Sequence, residues 1–187
     1  LMHIKPAEGQ PRPVGQAIVE HLFPNGADGR IPVVGVTGSY GKTTVSRLIA
    51  RLLILSGKHT GLACSHGIFL DRRQSEKGDA ANWRSANRLL MNRAIEACVF
   101  ENGSDTILDE GLAYDRCQVG VVTNVDVARH VGRFYVETPE HVFTVLRTQV
   151  DLVLPKGAAV LNAREPMLVE MAPLCDGEVI YFATDPT

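Results

Sequence analysis

The amino-acid sequence predicts an α/β domain with a mostly parallel sheet flanked by helices. Two observations support this fold class. Short apolar runs alternate with stretches whose apolar residues recur at helical spacing, which is typical of strands and helices that follow one another in a parallel sheet. In addition, Ile31–Val36 is a continuous apolar run, as expected of a strand that is covered on both faces.

The first 30 residues differ in composition from the rest of the chain. Residues 1–30 are rich in Pro, Gly and charged residues and contain one stretch with apolar residues at helical spacing, Val14–Phe23. Because Pro24-Asn25-Gly26 follows, we expect a short helix that ends there. We therefore predict a linker with a short helix over 1–30 and a single domain over 31–187.

The remaining elements follow in order along residues 31–187. A helix is expected after the glycine loop that follows Val36. Further strands are predicted at His59–Cys64, Ala97–Phe100, Val119–Thr123, Ala158–Leu161 and Val179–Phe182, and further helices at Ser85–Asn92, Pro139–Val150 and Pro166–Leu174. Thr138 can cap the helix at Pro139, and Pro fits its first position. Residues 67–78 interrupt the alternation and indicate a hairpin or a lobe that projects from the sheet.

The composition is that of a soluble globular protein. Of 187 residues, 45% are hydrophobic and 21% are charged, and the formal net charge is −2. This charge creates no general basic field, so nucleic acid is not an expected partner. Apolar runs are too short to span a membrane, so we expect a cytoplasmic protein without membrane contact. Three of the four Cys lie in or beside apolar runs, which predicts reduced, buried thiols rather than disulfides.

A glycine-rich loop links the strand at Ile31–Val36 to the following helix. Its residues are Gly38-Ser39-Tyr40-Gly41-Lys42-Thr43-Thr44. Glycines allow backbone N–H groups to converge on phosphate oxygens, and the helix N-terminus adds a partial positive charge. Lys42 would then lie against the β- and γ-phosphates, and the Thr43 hydroxyl would bind Mg²⁺. The alternative is a solvated Lys on an ordinary strand–helix turn, and Val36 stands where the usual phosphate loop has Gly.

Val36–Thr44 resembles the Thr-Gly-Thr-Asn-Gly-Lys-Thr-Thr loop of the Mur ligase family. Other segments resemble, in order, the Mur-like part of cyanophycin synthetases. These segments are Glu8–Val14, Ala17–Val19, Leu22–Pro24, Glu110–Leu112, Asp115–Cys117, Val119–Asn124, Val160–Ala163 and Cys175–Phe182. The resemblance covers nearly the whole chain. It implies the central, ATP-binding domain of a Mur-type ligase, without the C-terminal domain that the family places after it.

The resemblance also implies a reaction. Mur-type domains use ATP to phosphorylate a carboxylate, and an amine then attacks the acyl phosphate to form an amide. In cyanophycin synthetases the amine is an amino acid, and the acceptors are aspartate side chains of a polypeptide-like polymer. The implied cofactors are therefore ATP and Mg²⁺, and the implied partners are an amino acid and a polypeptide-like acceptor. A homo-oligomer is compatible with the sequence.

The same resemblance assigns roles to particular residues. It implies that Lys42, Glu101 and His130 are catalytic, and that Thr43, Glu101 and His130 bind the metal. It places the nucleotide on Gly38, Ser39, Gly41, Lys42, Thr43, Thr44 and Asn162, the last at the adenine. Glu101 follows the strand Ala97–Phe100, and carboxylate oxygen suits Mg²⁺. Outside the resemblance, a lone His is more often structural than a ligand, and Asn162 fits a turn.

The chain departs from the family pattern near the implied chemistry. Tyr40 replaces the Asn of the loop, Gly103–Thr106 replaces an Ala-Arg-Gly-Gly segment, and Arg129 replaces the Asp before the family's His. Arg164-Glu165 replaces Asp-Asp, and Leu146 replaces a Lys that Mur ligases commonly carbamylate. Two hypotheses stay open: an active ligase domain with one well-held Mg²⁺, and a weakened domain that binds nucleotide or polymer as a scaffold. A third interpretation, a phosphate-loop kinase, accounts for the loop but for none of the other segments.

Overall fold

The computed structural model describes residues 3–4, 12–26 and 29–183, and the chain divides into two compact units, 1–31 and 32–187. In the first unit, strands β1 (His3–Ile4) and β2 (Arg12–Pro13) pair antiparallel, and helix α1 spans Val14–Leu22. A 3₁₀ turn, Pro24–Gly26, follows. The predicted helix and its end are therefore confirmed. Residues 8–11 and 184–187, which belong to predicted segments, lie outside the described residues.

The second unit is built on one eight-stranded sheet with the strand order β10-β9-β8-β3-β7-β4-β5-β6. The strands from β10 to β4 in this order are parallel, and β5 and β6 continue the sheet antiparallel. The α/β fold class with a mostly parallel sheet is thus confirmed. The strands are β3 (Val33–Thr37), β4 (Thr60–Cys64), β5 (Gly67–Leu70), β6 (Arg73–Lys77), β7 (Ala97–Glu101), β8 (Cys117–Val122), β9 (Val153–Asn162) and β10 (Glu178–Phe182).

Helices follow most of these strands. They are α2 (Lys42–Leu55), α3 (Trp83–Leu90), α4 (Ser104–Asp109), α5 (Pro139–Asp151) and α6 (Pro166–Met171). Thr138 caps α5 by accepting a hydrogen bond from the backbone N–H of His141, as its sequence predicts. The helix predicted to reach Leu174 ends at Met171 and continues only as a 3₁₀ turn. The short helix α4 was not predicted.

The hairpin at residues 67–78 is confirmed, but it does not project from the sheet. Strand β5 pairs with β4 in antiparallel register, from Gly61 opposite Leu70 to Cys64 opposite Gly67. The unsatisfied edge of β4 explains this arrangement, because backbone groups of a buried strand need hydrogen-bond partners. The hairpin therefore closes that side of the sheet and ends it with the exposed strand β6.

The core lies on both faces of β3, whose five residues are all buried. One face packs Val34 and Val36 with Val99 of β7 and with α2. On the other face, a side chain at Gly35 would overlap Tyr114 and Gln149. These two residues form a buried polar cluster with Asn102, in which the Tyr114 hydroxyl donates to Gln149 Oε1 at 2.8 Å. Apolar burial and a satisfied polar cluster therefore hold the central strand from both sides.

The structure also bears on the thiols, on membrane-spanning helices and on Leu146. Cys64, Cys98 and Cys117 are buried, Cys175 is half-buried, and all of them are free thiols, as predicted. No helix in the described ranges has the length and apolar character needed to cross a membrane. Leu146 is fully buried on α5, so this position contributes to the core.

The topology creates a site at the carboxyl edge of the sheet. Strand β3 lies between β7 and β8. After β3, the chain passes through α2 to β4, which lies on the same side of β3 as β7. After β7, the chain returns to β8, which lies on the other side of β3. In open α/β sheets, ligands bind outside the carboxyl ends of the strands where the connections diverge in this way. The glycine loop lies at this point.

Candidate functional site

The loop turns sharply between β3 and α2 with the help of two glycines. Gly41 precedes the first residue of α2 and has a left-handed conformation, with φ 77° and ψ −3°. Gly38 has φ 126°, and a Cβ there would overlap the Thr123 hydroxyl. Only glycine adopts this geometry without strain. The first backbone N–H groups of α2 have no partner within the helix, so this end is suited to an anion.

Residues after β8 hold the loop in place. The Thr123 hydroxyl lies 3.2 Å from the carbonyl oxygen of Thr37 and 2.8 Å from that of Tyr40. The backbone carbonyl of Asn124 accepts from the N–H of Ser39 at 3.1 Å, and its side-chain oxygen accepts from the N–H of Tyr40 at 2.9 Å. The loop is therefore fixed by the neighbouring strand as well as by its own sequence.

Lys42 folds back over the loop. Its ammonium group donates to the carbonyl of Gly38 at 3.0 Å and lies 3.5 Å from that of Ser39. Partial burial lowers the pKa of Lys42, and the nearby Glu101 carboxylate opposes this shift. Carbonyl oxygens are weaker partners for an ammonium than phosphate oxygens, so Lys42 can exchange them for an anion in the loop.

Glu101 is buried at the end of β7, with 6% of its surface exposed. Its two oxygens accept from the Thr43 hydroxyl at 3.0 Å and from the backbone N–H of Ser65 at 2.9 Å. The Ser65 hydroxyl lies 2.8 Å from that of Thr43. Hydroxyl and carboxylate oxygens are the ligand types that Mg²⁺ prefers. The oxygens of Thr43 and Glu101, with Ser65 beside them, therefore fit a magnesium ion.

His130 is buried between two serines. Its Nε2 lies 2.8 Å from Ser39 Oγ, and its Nδ1 lies 3.0 Å from Ser104 Oγ. Burial lowers the pKa of His130, and the positive charge of Lys42 lowers it further. Ser39 Oγ also accepts from the N–H of Asp126 at 2.7 Å, and each serine hydroxyl can donate to or accept from the imidazole according to its tautomer. The neutral imidazole thus links the loop to α4.

Most of the predicted site residues line one polar cavity of about 310 Å³. Gly38, Ser39, Lys42, Glu101 and His130 are among its lining residues. Thr43 reaches this group through its contact with Glu101. Thr43 and Thr44 also line a neighbouring cavity of about 470 Å³ on the other side of the start of α2. Within the described residues, no group of three or more His, Cys, Asp or Glu side chains is arranged to hold a metal.

Asn162 lies farther from the loop. It ends β9, which is separated from β3 by β8. Its side-chain nitrogen donates to the carbonyl of Thr123 at 3.2 Å, and its oxygen accepts from the N–H of Arg164 at 3.1 Å. Asn162 therefore makes one turn contact, with Arg164, as its sequence position indicates, and one long-range contact, with Thr123.

Several residues that shape this site had no role predicted from the sequence. Thr123 and Asn124 fix the loop, Ser65 contacts both Thr43 and Glu101, and Ser104 holds His130. A signal for the first two was present, since polar residues directly follow the buried strand β8. Ser65 and Ser104 had no such signal beyond their position after a strand.

The sequence profile of the Mur ligase middle domain matches residues 36–186, which includes the loop and all of the strands from β7 to β10. The chain belongs to the Mur ligase family. Cyanophycin synthetases of Synechocystis sp. and Crocosphaera subtropica are 39% and 37% identical over 185 residues, which is 99% of this chain. A UDP-N-acetylmuramoyl-L-alanyl-D-glutamate–2,6-diaminopimelate ligase of Chlamydia muridarum is 30% identical over 79% of the chain and 31% of its own length. This Mur ligase middle domain spans about a fifth (21%) of the two cyanophycin synthetases.

Solved Mur ligase structures share the fold. A UDP-N-acetylmuramoyl-L-alanyl-D-glutamate–2,6-diaminopimelate ligase superposes with a TM-score of 0.66 at 18% identity, covering 92% of this chain and 35% of the other. A MurF ligase of Thermotoga maritima in complex with ADP superposes with a TM-score of 0.60 at 20% identity, covering 89% of this chain and 34% of the other. At these identities the likeness concerns the fold alone.

Proposed function

We propose that this Mur ligase middle domain binds ATP for an amide-forming ligase of the cyanophycin synthetase kind. One observation carries the proposal. Lys42, Thr43 and Glu101 meet at the start of α2, where a glycine loop is fixed at the carboxyl edge of the sheet. The related MurF structure is described as a complex with ADP, and the related cyanophycin synthetases support the reaction class.

The residues in and around the loop have distinct proposed tasks. The N–H groups at the start of α2 bind phosphate oxygens, and Lys42 turns from the loop carbonyls to the β- and γ-phosphates. Thr43 and Glu101 would hold Mg²⁺, which would supply positive charge to neutralise the phosphates. His130 keeps Ser39 and Ser104 in place, and the catalytic and metal-binding role that the resemblance gives to His130 is proposed as well. Asn162 is proposed to contact the adenine, which requires it to exchange its present turn contacts.

The proposed reaction has two steps. An acceptor carboxylate oxygen attacks the γ-phosphorus of ATP, and the bond to ADP breaks to give an acyl phosphate. The amine nitrogen of an amino acid then attacks the acyl carbon, phosphate leaves, and the nitrogen loses a proton. By resemblance, the acceptor is an aspartate side chain of a polypeptide-like polymer. Because this chain spans about a fifth of its relatives, both steps are proposed for the longer protein.

A thermal-shift experiment tests nucleotide binding. MgATP at 100 times its Kd would stabilise the folded chain by about 2.7 kcal/mol, which raises the melting temperature. We expect Lys42→Ala to abolish this shift, whereas Lys58→Ala, on an exposed turn after α2, should retain it. A well-folded sample that shows no shift at millimolar MgATP would contradict the proposal.

A weakened, ligase-derived scaffold is the second candidate. Leu146 is fully buried, so the position where Mur ligases commonly have a carbamylated Lys offers no metal ligand. The Tyr40 side chain, where the family has Asn, is half exposed at the loop. Measuring ATP binding and ADP release by the longer protein distinguishes the two candidates. If it binds ATP but releases no ADP in the presence of amino acids and acidic acceptor peptides, the scaffold is favoured.

A further inference from the structure

The polar cavity beside the loop is lined by three cationic and three anionic side chains. Its charged lining residues are Lys42, Asp79, Glu101, Asp105, Arg129 and Arg133. Arg133 is paired with Asp105 at 2.6 Å. Within the described parts of the chain, neither Lys42 nor Arg129 forms an ion pair with a carboxylate. The cavity therefore offers two cations for an anion.

These two cations converge on one backbone oxygen. The carbonyl of Ser39 lies 3.5 Å from the Lys42 ammonium and 3.4 Å from the Arg129 guanidinium. Both distances exceed the roughly 2.7–3.2 Å of a well-formed hydrogen bond. Burial is the main cause of the lowered pKa of Lys42; the Glu101 carboxylate opposes this shift, and repulsion from the positive charge of Arg129 adds to it. An anion bound between them would remove this repulsion and provide better acceptors.

Tyr40 holds Arg129 at this point. The guanidinium carbon lies 4.4 Å from the centre of the Tyr40 ring, which is a cation–π contact. The ring itself is fixed, because its hydroxyl donates to Asp126 Oδ2 at 2.7 Å. One face of the guanidinium is thus occupied by the ring, and among the described residues the Ser39 carbonyl is the one hydrogen-bond acceptor recorded for its N–H donors. This geometry suits a tetrahedral anion at the edge of the guanidinium.

We propose that Arg129 is a second phosphate-binding cation of the loop and that it contacts the terminal phosphate of ATP. The inference rests on the proposed function, which places the β- and γ-phosphates against Lys42. Arg129 approaches the loop in the cavity that Glu101 and His130 also line, where the phosphoryl group would be transferred. Tyr40 is the positioning residue for Arg129. Binding of the terminal phosphate then distinguishes ATP from ADP.

Calorimetric titration of the full chain with MgATP and with MgADP tests this assignment. We expect Arg129→Gln to weaken ATP binding about tenfold, equivalent to about 1.4 kcal/mol, and ADP binding by about twofold or less. Arg129→Lys should recover part of the ATP affinity, because it restores the charge but not the planar stacked group. Tyr40→Leu should reduce the preference for ATP, whereas Tyr40→Phe, which keeps the ring, should preserve most of it.

Arg133→Gln is the matched control. It removes one positive charge from the same cavity, but Arg133 is already engaged by Asp105. We expect it to leave the ratio of ATP to ADP affinity unchanged. The assignment is overturned if Arg129→Gln weakens ATP and ADP binding equally, or changes the ratio no more than Arg133→Gln does. Melting temperatures without nucleotide check that each variant is folded.

The outcomes separate this inference from the proposed function. If the wild-type chain binds neither nucleotide, both are overturned. If the wild-type chain binds MgATP and Lys42→Ala abolishes binding, but Arg129→Gln and Arg129→Lys keep the wild-type ratio, only the assignment of Arg129 is overturned.

Discussion

The two glycines of the loop provide a matched test of how the structure fixes the site. Both have positive φ, 126° at Gly38 and 77° at Gly41. A Cβ at Gly41 meets nothing within 4 Å. At Gly38 it would overlap the Thr123 hydroxyl and lie 3.0 Å from the carbonyl oxygen of Asn124. Substitution by Ala should therefore cost backbone strain alone at Gly41, but strain and a steric overlap at Gly38.

The expected magnitudes follow from these contacts. Gly41→Ala places Ala in the left-handed region, which costs about 1–2 kcal/mol of the free energy of unfolding. Gly38→Ala adopts a rarer conformation, at about 1–3 kcal/mol. It also displaces the Thr123 hydroxyl from the carbonyl of Tyr40, which adds about 1 kcal/mol. We therefore expect Gly38→Ala to cost about 2–4 kcal/mol, more than Gly41→Ala.

Urea unfolding followed by circular dichroism measures both costs as shifts of the midpoint at an unchanged slope. A double-mutant cycle isolates the overlap, because Thr123→Ala removes the hydroxyl that the new Cβ would meet. The double variant Gly38→Ala/Thr123→Ala should be more stable, by about 1 kcal/mol, than the sum of the single effects predicts. Equal costs for Gly38→Ala and Gly41→Ala, or strictly additive effects in the cycle, would refute the reasoning.

Three further predictions concern the core, the pH dependence and the thiols. Gln149→Leu leaves the buried Tyr114 hydroxyl without its acceptor, and should cost about 1–3 kcal/mol in urea unfolding; a neutral effect would show that the polar cluster is dispensable. Because burial holds the pKa of His130 below its ordinary value, the unfolded chain binds the proton first as the pH falls. The stability that neutral His130 contributes is thus present above about pH 6.5 and lost below it. His130→Gln should flatten the pH profile of unfolding there, by at most about 1.4 kcal/mol per pH unit, and an unchanged profile would contradict this. With a thiol reagent at pH 8, the half-buried Cys175 should react first. The three buried thiols should react only after unfolding, since burial raises the pKa of two of them to about 12; equal rates would exclude this.

Local features of the sequence determined much of the fold. The apolar run before the loop, the capping residue Thr138 and the turn at residues 24–26 all act over a few neighbouring residues, so their elements could be predicted. Helix α4 has only six residues, too few to show a helical period, and it was missed. The hairpin at 67–78 was predicted, but its pairing with β4 depends on a strand edge that sequence periodicity does not reveal.

The site likewise has features that the sequence predicts and features that depend on the folded structure. Gly38, Lys42 and Thr43 lie within six consecutive residues, so their common chemistry could be predicted from the sequence. The contacts that give this chemistry its geometry join distant residues: Ser39 and His130 are 91 positions apart, and Thr43 and Glu101 are 58 apart. The stacking of Arg129 on Tyr40 is of the same kind. Residues after β3, β7 and β8 meet because parallel strands place their carboxyl ends at one edge. Thus the sequence by itself determined the phosphate-type loop and the fold class, whereas strand order in the folded sheet decided which side chains surround the loop.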